Sequence, residues 1–558
     1  MCNKMKSRLN NQQGAVLVMV LILMAVLTVF ATAAYEVAAN NQQMLAAAAG
    51  SDTALYNAEK GLHKYMWELN NDSLFFLNTA LYAKTDSGTG SETYQKDGDE
   101  EGSYRVQVII PLQNGSRVNN RAMLRSTGWD ENNPERMRTI EVELLKRTFT
   151  QYGMVTNSEA NENGEINYWV NGEYFYGPIH SNGTLYIGSY NPVFYGPVTY
   201  SVGVDPPGRM SSTSVFRQGC SQADPLVFPP SNDKLMAQAR IGGAGDYYNG
   251  RACIMLKGST YDIRYWDRDA NTWKYNGRPY SYTASSSSSD RRDEIGTYRL
   301  TDTNTRYNSF AALRNAVPSL PLPSNGVIYV NGSTGNSEQT YESKFPRDYG
   351  NVFVSGKLDG ELTIAAANDI FITRYDPVDW RHPNRWASGN YTDGLTYTNT
   401  GFSQQFSGGS WVRTNVTGAG DDMLGLVATG RIRILHFNWS SQDESENYNW
   451  GGSSSSNRID VANRSNITIH AALYAKDISY GFEAPKVGND KGSITLFGSI
   501  SQKYRGTVGT TGDTGYTKNY SHDPRMLYTS PPHYIEPSNT GWQAMQWRET
   551  SDHLTTNP

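Results

Sequence analysis

Residues 15–34 read AVLVMVLILMAVLTVFATAA, an apolar run that only Thr28 and Thr32 interrupt. At about 1.5 Å per residue, a helix of this length spans the roughly 30 Å hydrocarbon core of a bilayer. Basic residues precede the run within residues 1–14, and the first acidic residue, Glu36, follows it. This charge bias predicts a single-pass membrane anchor, with a basic cytoplasmic leader over residues 1–14 and the rest of the chain outside.

The helical pattern continues past the apolar run. Apolar residues recur at spacings of three and four up to position 69, and neither a proline nor a turn cluster separates the two parts. The sequence therefore predicts one long helix over residues 15–70, apolar at its start and amphipathic later, in which Gly50 costs about 1 kcal/mol relative to alanine. Ordinary secretion is the alternative, because the small residues at 31–34 offer a cleavage site that would leave a chain starting near Tyr35.

Two segments of this helix carry a family resemblance. Residues 13–18 (QGAVLV) and 57–62 (NAEKGL) resemble the N-terminal domain of the PilX family of type IV pilus-assembly proteins. The resemblance implies a pilin-like subunit whose partners are the membrane and other pilin-like subunits, and whose leader prepilin peptidase would cut between Gly14 and Ala15. Pilins of the main type carry a glutamate at the fifth position of the mature helix, where this chain has Met19. Members of the PilX branch often lack that glutamate.

The length and composition describe the exported part. With 558 residues the chain is longer than one ordinary domain. Its 52 glycines, its 37 tyrosines and a hydrophobic fraction of only 38% are typical of a turn-rich, mainly β protein. We expect a small antiparallel β module over residues 71–150, a large β-rich domain over 151–537 and a polar tail over 538–558. A net charge of -5 is nearly neutral for this length, so nucleic acid is not an expected partner.

Strand patterns occur in both exported parts. In the small module, three segments alternate between apolar and polar residues, and three antiparallel strands after a long helix resemble a pilin head. They are residues 102–112, 121–129 and 135–147. In the large domain, short β-branched runs recur between glycine and asparagine, which favours a β-solenoid, with an irregular β-sandwich as the alternative. These runs are residues 183–188, 326–332, 350–356, 360–373, 423–436, 466–475 and 492–500.

Four segments of the large domain carry a second resemblance. Residues 177–183 (GPIHSNG), 364–372 (IAAANDIFI), 497–500 (FGSI) and 520–526 (YSHDPRM) are similar to an uncharacterised β-rich domain family. That family occurs in bacterial surface proteins with pilin-like N-termini. The resemblance extends over most of residues 150–535 and implies an architecture but no activity.

The chain has three cysteines, of which Cys2 lies in the leader on the reducing side of the membrane. Cys220 and Cys253 would face an oxidising compartment, where a disulfide between them could form. Closing a loop of about 30 residues would stabilise the fold by about 3 kcal/mol. The sequence leaves open whether the two cysteines approach each other.

Two acidic segments invite comparison with calcium-binding loops. Residues 97–102 (DGDEEG) start like an EF-hand loop, but the position that needs a bidentate glutamate is Val108. A solvated acidic turn is the favoured interpretation there. Asp267, Asp269 and Asn271 have the same initial spacing, followed by a basic residue at the twelfth position. The sequence therefore predicts no metal and no cofactor. A calcium site at Asp267, Asp269 and Asn271 is the alternative.

Three groups of residues are candidates for catalysis. They are His180, residues 368–369 (ND) and residues 522–525 (HDPR). Structural roles are favoured for all three: a turn histidine that binds a backbone carbonyl, side chains that stabilise turns, and an exposed pair of Asp523 and Arg525 worth under about 1 kcal/mol. Metal-ligand spacings such as H-E-x-x-H do not occur. We therefore predict no catalytic residue.

Together these features predict a non-enzymatic, pilin-like or minor pilin component of a type IV pilus or a related assembly apparatus, anchored in the bacterial cytoplasmic membrane. The alternative is a membrane-anchored glycan-binding or glycan-cleaving surface protein. Asp267 and Asp269 would then bind calcium, and the aromatic residues within 261–273 would stack on sugar rings. A simply anchored surface protein that never enters a pilus is a third hypothesis, which the absence of glutamate at position 19 leaves open.

Overall fold

A computed structural model describes most of the chain. The described residues are 2–71, 83–87, 90–98, 103–113, 116–118, 120–188, 191–284, 296–335, 346–378, 392–439, 458–460, 466–483, 485–486, 489–510, 514–539 and 541–550. Within them a long N-terminal helix is followed by a mainly β chain, so this part of the fold prediction is confirmed.

The helices are α1 (Cys2–Asn71), α2 (Asp233–Ala239) and α3 (Phe310–Ala316), with 3₁₀ turns at Phe149–Gln151, Pro207–Arg209 and Pro524–Leu527. The first strands are β1 (Ala83–Ser87), β2 (Ser91–Asp97), β3 (Tyr104–Gln113), β4 (Ser116–Arg117), β5 (Arg121–Asp130) and β6 (Asn133–Leu145). They are followed by β7 (Met154–Ser158), β8 (Tyr174–Tyr176), β9 (Ile179–Ser181), β10 (Thr184–Tyr186), β11 (Val193–Phe194), β12 (Val198–Tyr200), β13 (Gly203–Asp205), β14 (Cys220–Gln222), β15 (Asp246–Asn249), β16 (Ala252–Gly258), β17 (Thr260–Asp267), β18 (Thr272–Tyr275), β19 (Arg278–Ala284), β20 (Gly296–Leu300), β21 (Arg306–Tyr307) and β22 (Leu320–Pro321). The remaining strands are β23 (Val327–Asn331), β24 (Val352–Leu358), β25 (Glu361–Ala366), β26 (Ile370–Ile372), β27 (Gly394–Tyr397), β28 (Thr400–Ser407), β29 (Ser410–Gly418), β30 (Met423–Ala428), β31 (Ile432–Ile434), β32 (Phe437–Trp439), β33 (Arg458–Asp460), β34 (Ile467–Ala475), β35 (Tyr480–Phe482), β36 (Asp490–Tyr504), β37 (Gly509–Thr510), β38 (Thr514–His522) and β39 (Gln543–Thr550).

The chain divides into two compact units. The first, which we call the head, consists of Met1–Leu112, Arg121–Leu145 and Trp542–Pro558. The second, which we call the body, consists of Gln113–Asn120 and Lys146–Gly541. The head therefore contains residues from both ends of this sequence.

The head is α1 packed on an antiparallel sheet. The strand order is β1-β2-β3-β5-β6-β39. The three predicted strands correspond to β3, β5 and β6, and the structure adds β1 and β2 at one edge and β39 at the other. Alternate residues of the central strands, such as Val106, Leu124 and Val142, form one apolar core with α1.

Glycines allow α1 to lie close to this sheet. The buried side of the helix follows helical spacing, with Ala54, Ala58 and Leu62 at most 4% exposed. A Cβ atom on Gly128 of β5 would lie 2.3 Å from the carbonyl oxygen of Ala54 and 2.3 Å from the amide nitrogen of Ala58. Gly50, predicted to weaken the helix, is buried inside an unbroken α1. The loss of helix propensity there is offset by tertiary packing.

The segment after residue 537 differs from the predicted polar tail. Gln543–Thr550 forms β39, which pairs with β6 and places Gln543 opposite Leu145. The side chains of β39 are almost all exposed, so its composition is polar although its backbone belongs to the sheet. Trp542, immediately before the strand, is 5% exposed and joins the core of the head. Strands β6 and β39 are neighbours in the sheet, but in the sequence they are separated by nearly the whole body.

The body is built mainly from parallel ladders of short strands. The longest runs β15-β23-β25-β30-β34-β36-β7-β9-β12-β14, with every neighbouring pair parallel. A second runs β16-β24-β27-β34-β36-β38-β8-β11, and a third β24-β26-β31-β35. Strands β24, β34 and β36 each take part in two of these ladders.

Register in the longest ladder stacks one buried aliphatic residue on the next. Ile364 lies opposite Leu426, Leu426 opposite Leu473, and Leu473 opposite Ile500. Ile500 lies opposite Met154, which continues the column into β7. All five belong to the largest apolar cluster. The β-branched and leucine-rich runs of the sequence are therefore the inner residues of successive strands.

The chain does not follow the ladders from one end to the other. It enters at β7, in the middle of the longest ladder, and proceeds through β9 and β12 to β14 at one end. It re-enters at the opposite end with β15 and returns through β23, β25, β30 and β34 to β36, which pairs with β7. We call the pairing of β36 with β7 the seam.

Candidate functional site

The surface of α1 over residues 15–34 is the strongest candidate site. Its large apolar side chains are all exposed, from 42% for Val20 to 72% for Met19. Among the described residues, α1 is the one helix long and apolar enough to cross a membrane, judged by length and composition. An exposed apolar surface of this extent marks a contact with lipid or with other proteins.

The two threonines in the apolar run are compatible with such a contact. The Thr28 hydroxyl donates to the carbonyl oxygen of Met24, and the Thr32 hydroxyl donates to that of Thr28, both at 3.0 Å. Each polar side chain therefore satisfies its hydrogen bond within the helix. This is the arrangement that a hydrocarbon environment requires of polar groups.

The predicted processing site, Gly14 and Ala15, lies within α1, and both residues are exposed. Within the described part of the chain, no packed neighbour lies within 4 Å of the position that a Cβ atom on Gly14 would occupy. Cleavage of this peptide bond stays a prediction.

Cys220 and Cys253 are separate thiols, and the structure shows no disulfide between them. Cys220 begins β14 at the end of the longest ladder, whereas Cys253 is buried in β16. The two strands are not hydrogen-bonded to each other, and Cys253 lies opposite Phe353 of β24. Burial raises the pKa of the Cys220 thiol to about 11 and that of Cys253 to about 12.

The acidic segment at 267–271 is a hairpin turn between β17 and β18. One carboxylate oxygen of Asp267 accepts the backbone N–H groups of Asp269 and Ala270, both at 3.0 Å, and the other lies 2.6 Å from Lys274. The described residues contain no group of three or more His, Cys, Asp or Glu side chains arranged to hold a metal. Most of the other acidic segment, at 97–102, lies outside the described residues.

His180 is buried, and both of its ring nitrogens are hydrogen-bonded. Nε2 lies 2.9 Å from Asn182 Oδ1, and Nδ1 lies 2.8 Å from Thr199 Oγ1. The Asn182 amide nitrogen donates to Asn157 and to the Leu226 carbonyl, so its oxygen must accept. Nε2 of His180 therefore donates the hydrogen in its bond with Asn182. Burial lowers its pKa to about 4, despite the hydrogen bond with Asn182.

This environment gives His180 a structural role. The sequence analysis favoured a histidine that binds a backbone carbonyl, whereas the structure shows that its partners are two side chains. These partners come from its own turn and from the adjacent strand β12, so the ring fixes the spacing of neighbouring strands.

The pair at 368–369 also forms part of the body's framework. The Asn368 side chain donates to Asn351 Oδ1 at 2.8 Å. Asp369 accepts the backbone N–H of Arg431 and the guanidinium of Arg433, both at 2.7 Å. The side chains of Asp369 and Arg433 are 2% and 4% exposed, so this ion pair is internal.

The pair of Asp523 and Arg525 was predicted to be exposed, and this prediction is wrong. Their side chains are 0% and 8% exposed, with Arg525 Nη2 2.6 Å from Asp523 Oδ2. Arg525 Nη1 also donates to the Asp422 carbonyl at 2.7 Å. Local spacing indicated the pair correctly, but not the strands that cover it. Because removing one partner would leave a buried charge, this pair matters far more than a surface ion pair.

The aromatic residues at 261–273 belong to the interior. Tyr261, Trp266 and Trp273 are 0%, 5% and 7% exposed. They therefore cannot present a face to a sugar ring. These residues therefore do not support the glycan-binding alternative that was proposed from the sequence.

Local sequence patterns did not predict a charged cluster at the seam, in which Arg505 and Glu159 are buried. Arg505 lies 3.6 Å above the Trp169 ring and forms an ion pair with Glu159 at 3.1 Å. Lys518 and Glu173 form a second ion pair, and Arg505 also lies 3.5 Å from Glu173. These residues come from segments more than 300 positions apart, so no local pattern connects them. The cluster joins the strands of the first and last parts of the body.

Comparisons with known proteins give limited information. A family model described as Domain of unknown function (DUF4900) matches residues 104–203, which is less than half of the chain. Among solved structures, the competence-associated pilin ComZ from Thermus thermophilus matches with 12% identity, covering 90% of this chain and 97% of that chain at a TM-score of 0.23. A likeness with this TM-score carries no weight for the fold or function of this chain. No curated protein matches it.

Proposed function

We propose that this protein is a pilin-like or minor pilin subunit of a type IV pilus or a related assembly apparatus, with a structural, non-catalytic role. The observation that carries the proposal is the division of α1. Its apolar first part is exposed, and its amphipathic second part packs on an antiparallel sheet whose main path has six strands. This is the construction of a subunit that is stored in a membrane and then packed into a helical bundle.

The exposed first part of α1 requires an apolar environment. In the membrane, lipid covers it, and the basic leader holds the N-terminus in the cytoplasm. In an assembly, the helices of other pilin-like subunits replace the lipid contacts. The membrane and neighbouring subunits are therefore the proposed partners, and the resemblance to the PilX N-terminal domain supports this view.

For the exported part, we infer that the three parallel ladders are the faces of a β-solenoid. Short strands in register, with aliphatic residues stacked from strand to strand, support this architecture. A body of about 400 residues, repeated at every position of a filament shaft, would crowd the shaft. We therefore place the subunit at the tip of a filament, where it would occur once.

The N-terminus of the protein recovered from its native cells tests the proposal. We expect prepilin peptidase to remove the leader and leave a chain that starts at Ala15, with a methylated amine. Intact mass and terminal peptide sequencing measure this directly. A Gly14→Val variant should retain the leader, whereas a Gly90→Val variant, changed at an exposed turn of the head, should be processed normally.

Other N-termini would contradict the proposal in different ways. A retained leader would leave a static membrane anchor, and a start near Tyr35 would indicate ordinary secretion. Cross-linking that finds the subunit throughout a filament shaft would refute the tip position while leaving the pilin-like role intact.

A further inference from the structure

The hairpin of β28 and β29 lies along the outside of the second ladder. Near its base, Phe402 stacks on Phe497 of β36, with ring centroids 4.9 Å apart. Two positions further along, Gln404 Nε2 donates to Ser521 Oγ of β38 at 2.5 Å. Alternate residues of β28 thus contact successive strands of the ladder, and the base of the hairpin is firmly docked.

The tip of the hairpin covers a pair of tyrosines. Tyr176 of β8 and Tyr195 after β11 are stacked, with centroids 5.1 Å apart and planes 7° apart. Trp411 of β29 lies 6.1 Å and 6.4 Å from these rings, and Phe406 contacts Tyr176 edge-on at 5.9 Å. We call these four residues the aromatic cluster. Phe406 is 48% exposed, so the cluster reaches the surface.

Two polar atoms beneath this tip have no hydrogen-bond partner within the described residues. They are the indole Nε1 of Trp411 and the hydroxyl of Thr414, which is 6% exposed. Trp411 and Thr414 lie opposite Phe406 and Gln404 in the hairpin, so they face the ladder as those residues do. A buried donor that has lost water without gaining a partner destabilises the closed arrangement.

The docking therefore becomes weaker from base to tip. Gly408 and Gly409 form the turn with φ values of 58° and 78°, and Gly418 and Gly420 at the base have φ values of 84° and 75°. These glycines allow backbone conformations that other residues rarely adopt. We expect the tip to lift more readily than the base, where Phe402 is docked on Phe497.

We propose that the aromatic cluster is a binding site for a pyranose ring of a glycan. The sugar enters beneath the lifted hairpin tip and stacks the apolar C–H face of its ring on Tyr176 or Tyr195. One sugar hydroxyl accepts a hydrogen bond from the indole N–H of Trp411, and another forms a hydrogen bond with the Thr414 hydroxyl. A sugar suits this site because it combines an apolar face with a polar rim, matching aromatic rings beside unsatisfied polar atoms.

The site lies in the body and does not depend on the role of α1. A pilus subunit and a simply anchored surface protein could both carry it. The glycan contact proposed here also uses none of the residues that the sequence suggested for one.

Isothermal titration calorimetry of the full chain tests the proposal. The protein is held in a phosphocholine detergent, because detergents with sugar head groups would compete for the site. Cellohexaose, chitohexaose and maltohexaose are the probes, and at least one should give saturable binding. Absence of binding heat with all three at millimolar concentration would overturn the proposal.

A matched pair of variants locates the binding. Tyr176→Ala removes a stacking surface and should raise the dissociation constant at least tenfold. Tyr186→Ala removes a tyrosine whose ring contact is instead with Tyr168, at 6.0 Å, and should leave the dissociation constant unchanged. Equal affinity in the two variants would place any sugar elsewhere and refute the site.

A third variant separates ligand binding from packing. Trp411→Phe keeps an aromatic ring but removes the unpaired N–H. It should raise the melting temperature of the sugar-free protein and weaken sugar binding several-fold. A lower melting temperature together with unchanged sugar affinity would show that Trp411 serves packing alone. This variant also keeps the test decisive if Tyr176→Ala does not fold.

Discussion

At the scale of single residues, a glycine determines how closely the head packs. Gly128 of β5 lies against the backbone of α1, with no room for a side chain. Gly128 lies within a strand that the alternating pattern of residues 121–129 predicts, but this local pattern gives no reason for a glycine at that position. The reason is the contact with α1, which comes from a distant part of the chain.

We predict that Gly128→Val destabilises the head. A Cβ atom would lie 2.3 Å from backbone atoms of Ala54 and Ala58, so the helix must move away from the sheet. Overpacking of this kind costs about 1–3 kcal/mol. Amide hydrogen exchange in α1 and β5 measures the effect. Gly90→Val is the control, because no packed atom lies within 4 Å of its added Cβ in the described structure.

Buried histidines make the body sensitive to acid. Burial lowers the pKa of both His180 and His470 to about 4, whereas an unfolded histidine has a pKa near 6.5. Between these values the unfolded state binds more protons, so stability falls as the pH drops from about 7 to about 4. At pH 5, each histidine lowers the free energy of unfolding by about 2 kcal/mol relative to pH 7.

Denaturant unfolding at pH 7 and pH 5 measures this prediction. His180→Gln keeps a polar side chain but cannot be protonated, so the difference in stability between the two pH values should shrink by about 2 kcal/mol. An unchanged difference would show that His180 does not take up a proton on unfolding.

At the scale of single elements, β39 completes the head without adding much apolar contact. Its side chains are exposed, and it is held by backbone pairing with β6 and by ion pairs. Arg138 pairs with Glu549, and Arg548 lies 2.6 Å from Glu141. The buried Trp542 is the apolar part of this attachment.

We predict that ending the chain at Gly541 loosens the head. The loss of β39 exposes the edge of β6, and the loss of Trp542 opens the core beneath it. Limited proteolysis should become markedly faster within β5 and β6. Trp547→Ala is the control, because this side chain is 53% exposed and its removal should leave the cleavage rate nearly unchanged.

The elements differ in how well local sequence predicted them. Helix α1 and strands β3, β5 and β6 were predicted because their burial follows a helical or alternating period. Strand β39 was missed because it lies at a sheet edge, where both faces of QAMQWRET meet solvent and no alternation is required. Pairs such as Arg505 with Glu159 were missed because strand pairing, not chain proximity, brings them together.

At the scale of the whole molecule, the larger segment of the body, Lys146–Gly541, is inserted in sequence between two segments of the head. The chain leaves the head after Leu145 and returns at Trp542, and Leu145 lies opposite Gln543 in the sheet. These exit and return points are as close as the ends of a β-hairpin. The sequence suggested consecutive domains because composition changes along the chain, whereas each of the two compact units is discontinuous in sequence.

We predict that the head folds without the body. Replacing residues 146–541 by Asn-Gly should connect β6 to β39 through a three-residue loop of Asn, Gly and Trp542, because Leu145 lies opposite Gln543. Dispersed amide signals in a nuclear magnetic resonance spectrum of this protein in micelles would show a folded sheet. The same deletion without β39 is the control and should give a poorer spectrum. An unfolded spectrum for both would mean that the head depends on the body.

The nesting of the two units has a consequence during biosynthesis. Strand β39 follows the whole body along the polypeptide, so the ribosome delivers it long after α1 and β6. A nascent chain that stalls within the body leaves the edge of β6 unpaired, and an unpaired strand edge is a site for aggregation. Strand β39 can pair with β6 only after the entire body has been translated. The sheet of the head is therefore complete only in chains that contain the whole body.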